Sequence, residues 1–215
     1  MNLFDLLIEG PDAATHSARI YGVAIAIVTN NQDPEGMGRV KVKFPWLSDR
    51  DESHWARMAT LMAGPKRGVY FLPEANDEVL VAFEQGDIRF PYIIGALWNG
   101  KDKPPVTNQD GKNNIRVIQS RSGHQIRLND EKGKEKIEIV DRSGKNSIVF
   151  DTAKNAIAIT ANQDITLSAS QGTITLNAKE IQLKSTAATN LEAGAGMDLK
   201  ASATLNVKGA TINLN

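Results

Sequence analysis

The chain contains no cysteine among its 215 residues. Disulfide bonds, thiol nucleophiles and cysteine-ligated metal ions are therefore excluded. Net charge is also lacking, because 25 lysine and arginine residues balance 25 acidic residues. Proteins that bind nucleic acid or an anionic membrane generally carry a basic excess, so this balance disfavours both classes.

Long hydrophobic runs are missing as well. No stretch approaches the roughly 20 apolar residues that span a bilayer. Residues 1–20 carry three acidic side chains and lack the basic start and apolar centre of a secretion signal. The sequence therefore predicts a protein made in the cytoplasm without a signal peptide.

Proline and large aromatic side chains are scarce in the second half of the chain. All eight prolines lie at or before Pro105, and after Trp98 the only aromatic residue is Phe150. Both residue types suit the irregular loops of a globular barrel, whereas a regular stack of coils excludes them. The change predicts five regions: an N-terminal segment at 1–20, a barrel at 21–100, a linker at 101–114, a transition with longer coils at 115–150 and a needle-like repeat at 151–215.

The last third is filled by apolar triplets that recur about every eight residues. The outer two residues of each triplet are mostly apolar and the central one is polar or small, which is the alternation of a strand with one buried face. A fixed period of this kind indicates stacked coils. The triplets occupy 157–159, 165–167, 174–176, 181–183, 189–191, 197–199, 205–207 and 212–214.

These coils are too small to bury their own apolar side chains. Burial of one Ile or Leu contributes about 1.5–3 kcal/mol, whereas ordering the backbone costs about 1–2 kcal/mol per residue. Three chains wound about one axis can bury every triplet, so the sequence predicts a homotrimer, with a single-chain solenoid as the alternative. If the trimer prediction is correct, replacing both Ile174 and Leu176 with aspartate prevents trimer formation. The predicted trimer core consists of Ile165, Leu167, Ile174, Leu176, Ile181, Leu183, Leu199, Leu205 and Val207.

Residues 20–98 contain short alternating strands. An apolar stretch at 23–28 comes first, and alternation recurs at 40–44 and 79–83, with turn-forming residues between them. No segment within residues 20–98 has helical periodicity. The pattern predicts an all-β chain in which a small closed or half-open barrel precedes the repeat.

No constellation for catalysis or metal binding is evident. His16, His54 and His124 lie in different segments, without partners at metal-ligand spacing. The acidic loop at 49–52 resembles a glycosidase pair only superficially, because that chemistry needs two carboxylates held about 5–9.5 Å apart in a rigid cleft. We therefore expect no catalytic residue, cofactor or metal ion.

Seven segments, in order along the chain, resemble the contractile-tail spike family, which comprises phage baseplate assembly protein V and the spike part of VgrG proteins. The last of them lies where the barrel leads into the needle in that family. The segments are Val28–Pro34, Gly38–Trp46, Trp55–Met58, Gly68–Pro73, Asp77–Phe83, Pro91–Gly95 and Ser120–Asp130.

The resemblance implies an oligonucleotide/oligosaccharide-binding (OB) barrel followed by an intertwined triple-stranded β-helix needle. It also implies a mechanical role, in which a homotrimer sits below a hub at the end of the inner tube, within a baseplate. Sheath contraction then drives it through the target cell envelope. Since residues 1–20 are too few to form the hub, a separate hub trimer is expected, with Leu3, Phe4 and Leu7 as candidate contacts.

Two features of some family members are not expected here. Some carry a lysozyme domain between barrel and needle, for which the gap at 99–114 is too short. Some needles end in a His-x-His pair that binds iron, and this chain ends without histidine. The resemblance instead implies a PAAR-type tip protein, with a platform formed by Ile212, Asn213, Leu214 and Asn215.

A trimeric protein that binds single-stranded nucleic acid or glycan, similar to a tail fibre or adhesin, remains the alternative. OB barrels bind single strands through aromatic rings in a basic groove. Residues 22–100 hold eight basic against ten acidic residues, so the electrostatic part of such binding is lacking. Packing in the core or between subunits is the favoured role for the aromatic residues Phe44, Trp46, Trp55, Tyr70 and Phe71.

Overall fold

The computed structural model describes residues 19–48 and 50–213. Apart from a 3-10 turn at Glu84–Gly86, the regular elements in these residues are β-strands, which confirms the prediction of an all-β chain. The chain divides into two units between Asn162 and Gln163. The strands are β1 (Ala24–Asn30), β2 (Lys41–Lys43), β3 (Arg57–Met58), β4 (Ala63–Gly64), β5 (Arg67–Gly68), β6 (Glu78–Phe83), β7 (Pro91–Ala96), β8 (Ile115–Gln119), β9 (Gln125–Asn129), β10 (Lys136–Val140), β11 (Ser147–Asp151) and β12 (Ala156–Thr160).

The first sheet is a curled barrel with strand order β2-β1-β6-β7-β3. All neighbours are antiparallel except β3 and β7, which run parallel. Val40 and Ala56, just before the two outermost strands, exchange backbone hydrogen bonds of 3.0 and 2.7 Å. This bridge joins the two ends of the sheet and closes the barrel.

The barrel core is built by the inward-facing residues of these alternating strands. In β6, for example, Val79, Val81 and Phe83 are buried while their neighbours are only partly covered. Phe44 is 4% exposed, and its ring centroid lies 5.5 Å from that of Phe83. The buried core comprises Ala24, Ala26, Val28, Val40, Val42, Phe44, Ala56, Val79, Val81, Phe83 and Ile93.

The second sheet is an antiparallel meander, β8 to β12, in which each strand pairs with the next along the chain. Its five-residue strands are joined by tight turns, two of which place Gly133 and Gly144 at φ 80° and 71°. Glycine adopts this left-handed conformation without steric penalty. The meander extends to Thr160, into the range 151–215 that the sequence assigns to the needle.

The second unit is described by residues 163–213, here called the repeat segment. Within it, no residue belongs to a hydrogen-bonded strand. The eight-residue period of the sequence is therefore not matched by strand pairing inside one chain.

Candidate functional site

The loop between β1 and β2 is fixed by a network around Asp33. The Arg39 guanidinium donates to both carboxylate oxygens, at 2.7 Å from Nη2 and 3.0 Å from Nε. The backbone N–H groups of Glu35, Met37 and Arg39 also donate to this carboxylate. The hydrogen bonds from the Arg39 side chain are the largest cause holding the pKa of Asp33 well below its usual range. The network makes this loop a rigid part of the barrel.

The aromatic residues of the barrel occupy three different environments. Phe44 lies in the core, as the sequence predicts. The Trp55 ring is contacted by two cations, with Arg39 at 5.8 Å and Lys41 at 5.5 Å from its centroid, an arrangement stabilised by the ring quadrupole. Trp46 is exposed, and Phe44 lies beside it with 5.8 Å between ring centroids. No continuous stacking platform therefore results from these three rings.

The hairpin formed by β4 and β5 carries an apolar patch that sequence reasoning missed. Leu61 is 94% exposed, and Tyr70 and Phe71 are also exposed. The hairpin is held to its stem where the Thr60 hydroxyl donates to the Val69 carbonyl at 2.6 Å. The sequence signal was present in the run Val69–Leu72, but a strand assignment alone does not reveal that Tyr70 and Phe71 are exposed whereas Leu72 packs against the barrel core.

The meander has one apolar and one polar face, and the apolar face is the more exposed one. Side chains on the polar face are partly covered because they contact one another across strands, as where Arg127 and Glu138 form an ion pair of 2.7 Å. Nine large side chains of the apolar face are between 38% and 66% exposed. They are Ile118, Ile126, Leu128, Ile137, Ile139, Ile148, Phe150, Ile157 and Ile159.

The predicted trimer-core side chains all lie in the repeat segment and are between 51% and 73% exposed. The fold of the single chain therefore does not bury any of these nine residues, which extend from Ile165 to Val207. Of the predicted tip platform, Ile212 and Asn213 are exposed, whereas Leu214 and Asn215 lie outside the described residues. The candidate hub contacts Leu3, Phe4 and Leu7 also lie outside the described residues.

The polar candidates do not form a reaction centre in the described part of the chain. His54 and His124 are both exposed, and His124 Nδ1 accepts a hydrogen bond of 3.3 Å from the Arg142 backbone N–H. Glu52, in the acidic loop, pairs with Lys41 at 3.3 Å. Within residues 19–48 and 50–213, no group of three or more His, Asp or Glu side chains is placed to hold a metal ion. In the same residues, no helix has the length and apolar character needed to cross a membrane.

Comparison with known proteins gives these surfaces a context. Residues 24–98, which contain the barrel strands β1 to β7, match the model of the type VI secretion system/phage-baseplate injector OB domain. This match confirms the OB part of the predicted fold.

Curated relatives share more of the chain than this domain. Over 145 residues, the chain is 29% identical to type VI secretion system spike protein VgrG3 of Vibrio cholerae, covering 64% of this chain and 14% of that protein. Over 135 residues, it is 31% identical to spike protein VgrG5 of Pseudomonas aeruginosa, covering 55% and 17% respectively. A third relative, actin cross-linking toxin VgrG1 of Vibrio cholerae, is 28% identical over 133 residues, covering 60% and 12%.

The chain thus spans less than a fifth of the length of each of these three relatives. The domain model and two of these relatives are nevertheless named for the type VI secretion system. By its injector OB domain and these relatives, the chain resembles the phage-baseplate and VgrG spike family.

Proposed function

We propose that the chain is the central spike of a contractile injection system or phage-like tail, a homotrimer that pierces the target envelope when the sheath contracts. In this proposal, the barrel connects the spike to the rest of the baseplate and inner tube. The repeat segment forms the triple-stranded β-helix needle, and the particle is assembled from proteins made in the cytoplasm.

The observation that carries the proposal is the combination of two features. One is the injector OB domain, and the other is a repeat whose apolar side chains stay exposed and whose backbone stays unpaired within one chain. The nine predicted core side chains are at least half exposed, and the backbone of residues 163–213 forms no paired strand. Exposed apolar side chains and unpaired strand edges both favour association with other chains. Winding three copies about one axis satisfies both requirements.

The mechanical role is supported by the composition of the repeat. Proline, which removes a ladder hydrogen bond, does not occur after Pro105. A trimeric β-helix can therefore keep continuous hydrogen bonding along its length, so that it transmits axial force without bending at a weak point. We propose a purely structural function, without catalysis, cofactor or bound nucleic acid.

The proposed partners are a separate hub trimer on one side and a PAAR-type tip protein on the other. Leu3, Phe4 and Leu7 are proposed to contact the hub. Ile212 and Asn213, both exposed, are proposed to form the tip platform together with Leu214 and Asn215. Unpaired strand edges from three chains offer a template for a β element of the tip protein.

Light scattering on the purified full-length chain tests the proposal. The expected mass is three times the 23.4 kDa of one chain. A folded monomer would refute the intertwined needle and favour the single-chain solenoid. A parallel titration with single-stranded DNA addresses the binding-module alternative, for which sub-micromolar affinity at physiological salt would be required.

A further inference from the structure

The hairpin of β4 and β5 is separate from both larger sheets. Among the described strands, β4 and β5 pair only with each other, and an isolated two-stranded hairpin is at best marginally stable in water. Two hydrogen bonds close its base, from the Val69 N–H to the Met62 carbonyl at 3.0 Å and from the Thr60 hydroxyl to the Val69 carbonyl at 2.6 Å. Further contacts are therefore needed to keep this hairpin ordered.

A hollow of about 1060 Å³, here called the hairpin hollow, lies where the hairpin meets the barrel. It is lined by residues 36–38 and 58–72, apart from Pro65, and by Ile94. From the exposed fractions of Leu61, Met62, Tyr70 and Phe71, the hairpin presents roughly 600 Å² of mostly apolar surface, which is the upper end for the largest patch on a typical monomer. Patches of this size generally mark a binding site.

The charge at the hairpin hollow has one sign. Among the described residues that line it, only Lys66 and Arg67 are charged, and both are exposed at the hairpin tip. Neither takes part in any ion pair of residues 19–48 and 50–213. Complementary charge favours one partner over another. The occupant that fits is therefore an apolar segment flanked by acidic side chains.

The start of the same chain has this composition. Residues 1–18, which lie outside the described part of the structure, contain three acidic side chains and neither lysine nor arginine. Between positions 3 and 8, every residue except Asp5 is apolar. The apolar residues are Leu3, Phe4, Leu6, Leu7 and Ile8, and the acidic residues are Asp5, Glu9 and Asp12.

This segment is long enough to reach the hairpin hollow. Arg19, the first described residue, forms a β-bridge with Asp87. Ile94, in the wall of the hollow, lies opposite residues 80–81 of β6. The seven residues from 80 to 87 correspond to about 24 Å at about 3.4 Å per residue, whereas residues 10–18 reach up to about 30 Å when extended. The apolar part of the segment can therefore lie in the hollow while the chain enters the barrel at Arg19.

We propose that residues 3–9 occupy the hairpin hollow of their own chain. The apolar side chains pack against the exposed face of the hairpin, and Asp5 and Glu9 lie beside Lys66 and Arg67. This contact supplies the cover that the two-stranded hairpin otherwise lacks, and it removes an apolar patch from solvent.

The contact also has a regulatory consequence. Leu3, Phe4 and Leu7 are the residues proposed above to contact the hub, and they cannot contact the hub and the hairpin hollow at the same time. Hub binding therefore withdraws the segment and uncovers the hairpin only in a spike that has joined its baseplate. This exchange rests on the function proposed above, whereas the covering contact itself does not.

A matched pair of full-length variants tests the contact. Phe4→Ser with Leu7→Ser removes two apolar side chains from the segment, and Ala13→Ser with Ala14→Ser introduces the same two serines into the spacer. The readout is hydrogen exchange of residues 61–71, followed by mass spectrometry. We expect exchange to become about tenfold faster in the first variant, which corresponds to a loss of about 1.4 kcal/mol, and to stay unchanged in the second. Equal exchange in the natural chain and both variants would overturn the proposal.

Reversal of the charges provides a test that separates the contact from damage to the hairpin. Lys66→Glu with Arg67→Glu should also speed exchange, because it places acidic side chains beside an acidic segment. Adding Asp5→Lys and Glu9→Lys to that variant restores the attraction, so we expect protection to return. Exchange that stays fast in the fourfold variant would contradict the proposed pairing.

Cross-linking identifies the occupant. The full-length chain with benzoylphenylalanine in place of Phe4 is refolded from a mixture of light and isotope-labelled chains and then irradiated. We expect cross-links from position 4 to residues 58–72 within chains of one label. Cross-links between light and labelled chains would assign the hollow to a neighbouring copy and overturn the proposal. A trimer with an unprotected hairpin would refute the cover and leave the spike proposal intact, whereas a monomer with a protected hairpin would refute the spike and support the cover.

Discussion

The meander and the repeat segment have the same alternation of apolar and polar residues, but only the meander forms paired strands within one chain. In the meander, five-residue strands and tight turns let the chain form four strand pairings with itself. In residues 163–213, triplets separated by short spacers form no such pairs. Alternation therefore specifies a strand with one apolar face, whereas strand length and turn geometry decide whether its hydrogen bonds close within the chain.

The glycines of the two regions show this difference directly. Gly133 and Gly144 have φ values of 80° and 71° and reverse the chain between meander strands. None of the four glycines within residues 163–213 has a φ in the left-handed region. Residues 163–213 thus lack the left-handed glycine turns that reverse the chain in the meander.

The largest expected effect comes from placing charge inside the repeat. The double variant Ile174→Asp, Leu176→Asp buries two carboxylates in the proposed needle, which is strongly unfavourable without partners. We expect this variant to be a monomer by light scattering, with a C-terminal third that is digested rapidly by protease.

Thr175→Asp is the matched control, because Thr175 is the central residue of the same triplet and faces outward in the proposed needle. It is expected to leave both the mass and the protease resistance unchanged. A normal trimer from the double variant would refute the inward-facing assignment of Ile174 and Leu176.

A smaller effect is expected from the turn glycines. Gly133→Ala forces a side chain into a left-handed conformation, at about 1–2 kcal/mol, although there is open space around the position. We expect the thermal midpoint of the meander to fall by about 2–4 °C for each kcal/mol. Gly194→Ala, which also has open space but no left-handed φ, should leave this midpoint unchanged, and an equal fall in both variants would contradict the comparison.

The smallest expected effect is a pH dependence of the stability of the meander, which arises from Asp141. In the turn between β10 and β11, hydrogen bonds from the side chains of Ser143 and Asn146 lower the pKa of Asp141 below its ordinary value of 3.8. Because the folded-state pKa is the lower one, this carboxylate stabilises the meander above the ordinary pKa, and the contribution is lost as the pH falls through the lowered value. The thermal midpoint of Asp141→Asn should therefore differ most from that of the natural chain near neutral pH and converge with it in acid. A difference independent of pH would exclude this role for Asp141.

Local features of the fold were predictable from sequence because they depend on period and composition. The alternation at 40–44 and 79–83 identifies two barrel strands, and the loss of proline after Pro105 marks the change of architecture. The barrel closure between Val40 and Ala56 was not predictable, since it joins segments with no shared pattern. The exposed hairpin at β4 and β5 was missed for a related reason, because apolar residues in a short run do not show which way they face.

The site residues also include some that were predictable from the sequence and some that were not. The triplets of the repeat were recognised by their period, and their role as trimer core remains a prediction, as do the tip platform and the hub contacts. The apolar face of the meander was only partly predictable from the sequence. The triplets at 126–128, 137–139 and 148–150 are spaced 11 residues apart, but their alignment with Ile118 and Ile159 depends on turn geometry that spacing alone does not fix.

The exposed apolar face of the meander also has a consequence for the life of the newly made chain. A subunit that has folded but not yet met its partners presents to solvent a rigid, uncharged surface of the kind that chaperones bind and that nucleates aggregation. Yield should therefore depend on how quickly sibling chains encounter one another after synthesis. Slow, dilute expression is expected to favour insoluble protein over soluble subunits. Chains made close together from one messenger RNA should associate sooner and remain soluble.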